Sequence, residues 1–195
     1  MNIWTRLKLI TAPNEFGVVT LEQAKAHLRV SHADDDAVIT AMIGRAVAQF
    51  DGPRGIGLCL STQTWELRLD AFPLCIDIPL GPVASVLSVK YIDMAGVEQT
   101  LAALNYKLDT GGEMARLVPA FGLSWPAPRS EIGAVAVQFV AGSASVDINK
   151  ALIGGVLLLV GHYYENREAV SDAQLAALPL AVAEIMEQFR VGRVA

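Results

Sequence analysis

The spacing of apolar residues changes twice along this chain of 195 residues, and that change constrains the fold more than any other feature. Helical spacing extends to about Phe50, strand-like alternation runs from about Leu58 to Ala141, and helical spacing then returns. The middle stretch contains about six short strands with tight turns, which predicts a small antiparallel sheet or barrel. We therefore expect an α+β fold: a helical bundle from both chain ends with an inserted antiparallel β domain. The expected parts are 1–57 (helical), 58–142 (inserted β domain) and 143–195 (helical, with a C-terminal tail).

Two helices are predicted in the N-terminal part. Thr20, followed three residues later by Gln23, has the capping-box pattern that starts the first helix. The acidic run 34–36 falls in the first turn of the second, where negative charge favours the positive end of the helix dipole. A divalent cation could also bind such a run, but a calcium loop needs further ligands at a fixed spacing that this sequence lacks. We therefore interpret the acidic run as a helix start.

The C-terminal part begins with the most apolar helix of the chain. Almost every position from Ile148 to Tyr164 is apolar, so this helix is expected to be buried nearly all round. Gly154, Gly155 and Gly161 would allow neighbouring backbones to approach it closely, at a cost in helix propensity. A final helix is predicted to begin near Pro179, a residue type that suits a first helical turn.

The composition favours a subunit of an assembly over a nucleic-acid-binding protein. Hydrophobic residues make up 53% of the chain and charged residues 18%, against about 25% charged residues in an average soluble domain. The apolar surplus fits either a subunit interface or an Ala- and Val-rich core. The net charge is −5 and no run of Lys or Arg is present, so tight binding to the phosphates of nucleic acid is not expected. No apolar run reaches the roughly 20 residues that span a bilayer.

Common catalytic motifs do not appear in the sequence. Residues 52–57 superficially resemble a phosphate-binding loop, but they follow a helix and lack the Lys-Ser/Thr ending. The three histidines do not have the spacing of a zinc protease, and the two cysteines, Cys59 and Cys75, are too far apart for a metal knuckle or a redox pair. We therefore expect no catalytic residue, no metal site and no cofactor, and we interpret the chain as a non-enzymatic protein.

The end of the apolar helix is the most distinctive segment of the sequence. Tyr163 and Tyr164 can bury their rings while their hydroxyls reach a polar partner. Asn166 can take the left-handed position that ends a helix, and Arg167 places positive charge at the negative end of the helix dipole. A well-capped helix would explain these residues. A subunit interface is the other interpretation, and it would involve Tyr163, Tyr164, Glu165 and Arg167.

Four blocks of the sequence, taken in order, resemble the head–tail connector (adaptor) proteins of long-tailed bacteriophages and gene transfer agents. Val19–Val30 is similar to the opening helix of that family, and Asp34–Ile39 to the start of its second helix. Thr62–Trp65 is similar to its first strand, and the run ending in Tyr163–Glu168 to its characteristic helix end.

The resemblance implies a structural role in the neck of a virion. Such connectors form a ring, usually dodecameric, beneath the capsid portal, where they extend the DNA channel and dock a stopper or tail-completion protein. Double-stranded DNA would pass without sequence-specific binding, no membrane would be involved, and the subunit would occupy the bacterial cytoplasm during assembly. In this interpretation the C-terminal tail docks on the portal protein, through Phe189, Arg190, Val191 and Arg193.

A monomeric binding module is the alternative interpretation. The β domain could then recognise a small molecule or a glycan, with the rings of Trp65, Tyr91, Tyr106 and Trp125 as stacking surfaces. The alternation of the strands places at least three of these four rings at inward positions, which favours core packing over ligand binding.

Overall fold

The structure is a computed structural model, and it describes residues 6–112, 114–142, 149–167 and 179–191. Four α-helices and two antiparallel sheets occur in these ranges, so the predicted mixed α+β class is confirmed. The helices are α1 (Leu21–Leu28), α2 (Asp36–Phe50), α3 (Lys150–Glu165) and α4 (Leu180–Phe189). The strands are β1 (Leu7–Thr11), β2 (Gln63–Leu69), β3 (Ile76–Ile78), β4 (Val83–Ile92), β5 (Glu98–Leu101), β6 (Tyr106–Asp109), β7 (Ala115–Pro119) and β8 (Val135–Ala141).

The chain forms two compact units. The β unit consists of Met1–Pro13 and Thr62–Gly142, and the helical unit of Asn14–Ser61 and Ser143–Ala195. This division differs from the predicted parts at the N-terminus, which was assigned to the helical part as 1–57. The first residues belong with the sheets because β1 pairs with β2. This strand escapes prediction because it lies at a sheet edge and buries none of its side chains fully, so it lacks a clear alternation.

A local capping interaction starts the first of the two N-terminal helices. The Thr20 hydroxyl accepts a hydrogen bond from the Gln23 backbone N–H (3.2 Å), and the Gln23 side chain accepts one from the Thr20 N–H (2.9 Å), which confirms the predicted capping box. Helix α2 begins at Asp36, with Asp35 at its N-cap. Only Asp36 of the acidic run therefore lies in the first turn, because the helix begins about two residues later than predicted. Helix α2 ends at Phe50, and a short 3-10 helix, Gly52–Arg54, follows it.

All four helices contribute to the core of the helical unit. Its buried residues include Ala24 of α1, Ile39, Ile43 and Phe50 of α2, Leu152, Val156 and Leu159 of α3, and Val182 of α4. Burial of such side chains is the main favourable contribution to folding, at about 1.5–3 kcal/mol for each large one.

Helix α3 is not buried all round, so that prediction is wrong. Leu152, Gly155, Val156, Leu159 and Val160 are buried on one side. The opposite side exposes a strip that we call the α3 outer face: Ala151, Gly154, Leu158 and Glu165, of which Gly154 is partly exposed and the others exposed. The reason is geometric: within the described residues, α1, α2 and α4 pack against one side of α3.

The β unit contains a five-stranded sheet in the order β1-β2-β8-β4-β5 and a three-stranded sheet in the order β3-β7-β6, all antiparallel. Leu87 and Val89 of β4 do not share a face as residues two apart in a regular strand would, because Leu87 is exposed while Val89 is fully buried. The pairing of β4 with β8 shifts in register between Val86 and Ser88, and this bulge turns Leu87 away from the core.

Candidate functional site

Helix α3 ends in the segment that the sequence predicts as a subunit contact. At its start, the Asn149 side chain accepts a hydrogen bond from the Ala151 backbone N–H (2.9 Å). At its end, the Asn166 side-chain amide donates to the carbonyl oxygen of His162 (2.8 Å), which also accepts a hydrogen bond from the Asn166 backbone N–H (3.1 Å). Asn166 is not in the predicted left-handed conformation, since its φ is −115°. It caps the helix with its side chain instead.

Asp35 connects the start of α2 to the end of α3. Its Oδ2 atom accepts a hydrogen bond from the Tyr164 hydroxyl at 2.5 Å. Arg167 donates to both carboxylate oxygens, from Nη1 to Oδ1 at 3.3 Å and from Nη2 to Oδ2 at 2.8 Å. The Arg167 guanidinium also lies over the Tyr164 ring, with Cζ 4.1 Å from the centroid. One carboxylate thus holds two of the predicted contact residues against their own chain.

These contacts keep the Asp35 carboxylate ionised. Hydrogen bonds from Arg167 and from Tyr164 lower the pKa of Asp35 to about 2. The hydrogen bond to Asp35 raises the pKa of Tyr164 and that of Arg167 above their ordinary values. At neutral pH the Asp35 carboxylate is therefore ionised, while Tyr164 and Arg167 keep the protons that they donate to it. The three groups form one charge-matched network.

Asp35→Asn is expected to lower the stability of the chain at neutral pH, because the amide cannot form the ion pair with Arg167. A folded-state pKa below the unfolded value of about 3.9 means that the Asp35 contribution is present above about pH 4 and is lost as the pH falls toward 2. The difference in melting temperature between wild type and variant should therefore shrink over that interval. Asp34→Asn is the control, since the Asp34 side chain is 93% exposed. A difference that stays constant down to pH 2 would contradict this account.

Among the other two predicted contact residues, one is engaged within the chain and one is exposed. The Arg45 guanidinium lies over the Tyr163 ring, with Cζ 4.0 Å from the centroid. Glu165 is exposed and has no hydrogen bond or ion pair with another described residue. The segment is therefore a well-anchored helix end that leaves Glu165, on the α3 outer face, available to another chain.

The acidic run at the start of α2 pairs with basic side chains of the same unit. Asp36 forms an ion pair with Lys25 at 2.5 Å, and Asp34 lies 3.6 Å from Nδ1 of His32. In the described parts of the chain, no group of three or more His, Cys, Asp or Glu residues could hold a metal ion. The run therefore acts as a set of anchors for neighbouring elements.

The two adjacent glycines of α3 face different surroundings. A Cβ atom added at Gly155 would lie 2.8 Å from Cζ of Phe50, so the absence of a side chain there lets the Phe50 ring pack directly on the helix. A Cβ atom added at Gly154 would meet nothing within 4 Å. Together with Leu158, which is 43% exposed, Gly154 makes the α3 outer face apolar and shallow.

The predicted portal-docking residues are partly held by the helical unit itself. Phe189 is the last residue of α4 and packs against the core of the helical unit. The Arg190 Nε atom is 3.5 Å from an oxygen of Glu187, and the Val191 backbone N–H donates to the carbonyl of Ile56 at 2.8 Å. Arg193, the fourth residue of this prediction, lies outside the described residues.

The aromatic rings proposed as ligand-stacking surfaces take part in packing. Trp65 is buried, and its Nε1–H donates to the Gln63 side chain at 3.1 Å. Trp125 stacks on Phe72 with centroids 4.9 Å apart, and Phe72 meets the edge of Tyr91 at 5.9 Å. No observation on these rings favours a small-molecule or glycan site. None of the described helices is long and apolar enough to cross a membrane.

Comparison with known proteins finds likenesses among solved structures. No protein-family model matches the sequence, and no curated protein matches it significantly. A chain in a structure described as the virion of the native gene transfer agent particle is 27% identical, with a TM-score of 0.76. Chains in the neck of the empty particle, computed with C6 symmetry, and of the native particle, computed with C12 symmetry, are 26% and 25% identical, with TM-scores of 0.76 and 0.69. Each likeness covers 97% of both chains.

These likenesses extend over nearly the whole chain, so they concern both units. They support a structural protein of the virion-neck type, related to phage and gene transfer agent components, and they favour a non-enzymatic role. The cyclic symmetries with which the neck structures were computed support a ring oligomer. The chain is thus similar to neck components of a gene transfer agent in fold, in sequence and in length.

Proposed function

We propose that this chain is a head–tail connector (adaptor) subunit, which forms a ring beneath the capsid portal, extends the DNA channel and docks the next tail component. The observation that carries this proposal is the likeness, over 97% of the chain, to chains of a gene transfer agent virion and neck. The four sequence blocks that resemble connector proteins support the same role. The subunit would be made in the bacterial cytoplasm and would end in the neck of the particle.

In this role the helical unit is the bundle that builds the ring, and the segment Thr62–Gly142 of the β unit is an insertion into it. Two observations support this assignment: the two segments of the helical unit flank residues 62–142, and all four described helices share one core. A dodecamer fits the C12 symmetry used for the similar native neck. A closed ring needs two different complementary faces on each subunit.

We assign one of these faces to the α3 outer face and the helix end beside it. The outer face is apolar at Gly154 and Leu158, and it ends in the exposed carboxylate of Glu165. The Asp35 network fixes the position of Tyr164 and Arg167, so that the contact is preorganised and little side-chain freedom is lost on association. The cation–π contact with Arg45 likewise restricts the Tyr163 ring.

The charge of the helical unit fits a channel that DNA passes through without adhering. The unit contains eight Lys or Arg residues and twelve Asp or Glu residues, so its formal net charge is −4. The formal net charge of the whole chain is −5. Tight binding to phosphates requires clustered cations that release condensed counterions. A unit with this balance would conduct DNA without sequence-specific binding.

The portal contact can be tested by shortening the C-terminal tail. A chain truncated after Phe189 loses Arg190, Val191 and Arg193 but keeps all of α4, so it is expected to fold. The cost to folding is chiefly the hydrogen bond from Val191 to Ile56, worth about 0.5–1.5 kcal/mol. In a pull-down with the cognate portal protein, the full chain should bind and the truncated chain should lose binding at least tenfold.

The control is a chain truncated after Val191, which keeps the Val191–Ile56 hydrogen bond and removes only residues 192–195. Comparing the two truncated chains separates the contribution of Arg190 and Val191 to portal binding from that of Arg193. Undiminished portal binding by the chain that ends at Phe189 would disprove docking through the tail. Failure of the full chain to bind the portal at all would contradict the connector role.

A further inference from the structure

The most exposed large hydrophobic side chains among the described residues belong mainly to the β unit. Six described side chains of this kind are more than 70% exposed, and five of them belong to the β unit. We call these five the apolar rim: Leu74, Met94, Leu104, Phe121 and Ile132, with exposed fractions between 74% and 107%. Single exposed hydrophobic residues are ordinary, but a contiguous group usually marks an interaction site.

Three rim residues lie at the same end of the three-stranded sheet. Leu74 precedes β3, Phe121 follows β7 and Leu104 precedes β6. The antiparallel register places the start of β3 and the start of β6 beside the end of β7. A hydrogen bond from the Ala120 N–H to the Asn105 carbonyl (2.9 Å) continues this pairing beyond the strands. The three residues therefore lie at neighbouring positions of the backbone, at one end of the small sheet.

The other two rim residues lie at one end of the five-stranded sheet. Met94 is in the turn between β4 and β5, and Ile132 is in the segment before β8. The Ile92 N–H donates to the Ala134 carbonyl at 2.9 Å, so these two loops are adjacent. Phe72 joins this end to that of the small sheet, since its ring contacts both Tyr91 of β4 and Trp125 of the segment after β7. The ring of Phe72 thus links the chain segments that carry the two groups of rim residues.

Charged side chains around the rim are paired within the chain. Arg6 and Asp70 form an ion pair at 2.6 Å, Lys90 and Glu98 one at 2.8 Å, and Arg129 lies 3.4 Å from Glu131. The Asp93 carboxylate accepts hydrogen bonds from two backbone N–H groups of its own turn. A charge-matched surface of this kind suits an uncharged apolar partner and gives little attraction to a polyanion such as DNA.

The apolar area of the rim is comparable to the area that one partner buries in a protein–protein interface. At roughly 100 Å² of apolar surface for each large side chain, the five rim residues could remove about 500 Å² from water. This is a large part of the approximately 800 Å² that each partner buries in a standard protein–protein interface. In the same unit, the buried Nε1–H of Trp125, whose ring stacks on Phe72, has no acceptor in the described part of the chain.

We propose that the apolar rim docks a different protein chain of the neck, through an uncharged apolar surface on that chain; this rests on the connector role proposed above. A second copy is disfavoured for two reasons. Contact of rim with rim is two-fold and pairs subunits instead of continuing a cyclic ring. Contact of the rim with the α3 outer face would set five large hydrophobic side chains against one, Leu158, which is 43% exposed. Outside the rim, Leu180 is the one large hydrophobic side chain among the described residues that is more than 70% exposed.

The test is site-specific crosslinking in assembled particles. Leu104 or Phe121 is replaced by the photoreactive residue benzoylphenylalanine, and the crosslinked partner in purified particles is identified by mass spectrometry. The matched control is Thr110, which is exposed in the turn between β6 and β7, at the opposite end of the small sheet. Positions 104 and 121 should crosslink to a different neck chain at least tenfold more than position 110 does.

Three results would overturn the proposal, and they can be told apart. Crosslinks from the rim to a second copy would assign the rim to contacts within the ring. The absence of rim crosslinks, in particles that contain the chain, would show that the rim docks nothing. A chain that is absent from purified particles would overturn the connector role itself, and the docking site with it.

Discussion

Gly155→Ala is expected to destabilise the chain by about 1–2 kcal/mol, whereas Gly154→Ala, one residue away, is expected to stabilise it by about 0.5–1 kcal/mol. At Gly155 the new methyl group would lie 2.8 Å and 3.1 Å from two ring atoms of Phe50, which is fully buried and has little room to move. At Gly154 it would meet nothing within 4 Å, so the gain in helix propensity remains. Urea unfolding of both variants, at an unchanged m-value, measures the difference.

A double variant identifies the cause of the Gly155 effect. If the Phe50 ring is the obstacle, Gly155→Ala should cost less in a Phe50→Leu background than in the wild type, and the two changes should not be additive. Two glycine variants that shift stability in the same direction would contradict the packing of α2 against α3 described above.

Gly154→Trp is expected to leave the monomer folded and to reduce ring assembly on the portal at least tenfold. The indole would project into the open space beside Gly154 and would cover the α3 outer face, including Leu158. A tenfold loss corresponds to about 1.4 kcal/mol per contact, and a closed ring multiplies this loss over its interfaces. Ring formation can be counted in electron micrographs of the chain mixed with its portal.

Glu22→Trp is the matched control, because Glu22 is exposed on α1 of the same unit and lies outside the α3 outer face. It should assemble like the wild type. Normal rings from Gly154→Trp would show that subunits meet through another surface, whereas a misfolded Gly154→Trp monomer would contradict the open space at this position.

Features that depend on neighbouring residues could be read from the sequence. The capping box joins Thr20 and Gln23, which are only three residues apart, and it was predicted. The change in the spacing of apolar residues was sufficient to predict the α+β class. Helices bury a side chain about every 3.6 residues, whereas strands bury every second one.

Features that depend on distant residues could not be read in this way. Asp35 and Tyr164 are 129 positions apart, so the sequence indicated a capped helix end and an acidic helix start without indicating that they meet. Helix α3 is apolar on both sides, and only the packing of its neighbours shows which side is covered. Leu104 lies in a short 3-10 helix, Ala103–Asn105, and Phe121 lies in a turn, and a hydrophobic residue in such short segments gives no periodic signal. An apolar side chain inside a turn was the available hint of the rim.

The most direct test of the connector role is electron microscopy of the purified chain mixed with its cognate portal. We expect copies of this chain to form one closed ring on the portal, with the helical units in contact through the α3 outer face and a cyclic symmetry related to the C6 and C12 of the similar necks. A chain that remains a monomer beside the portal, with no added density on the portal ring, would contradict the account.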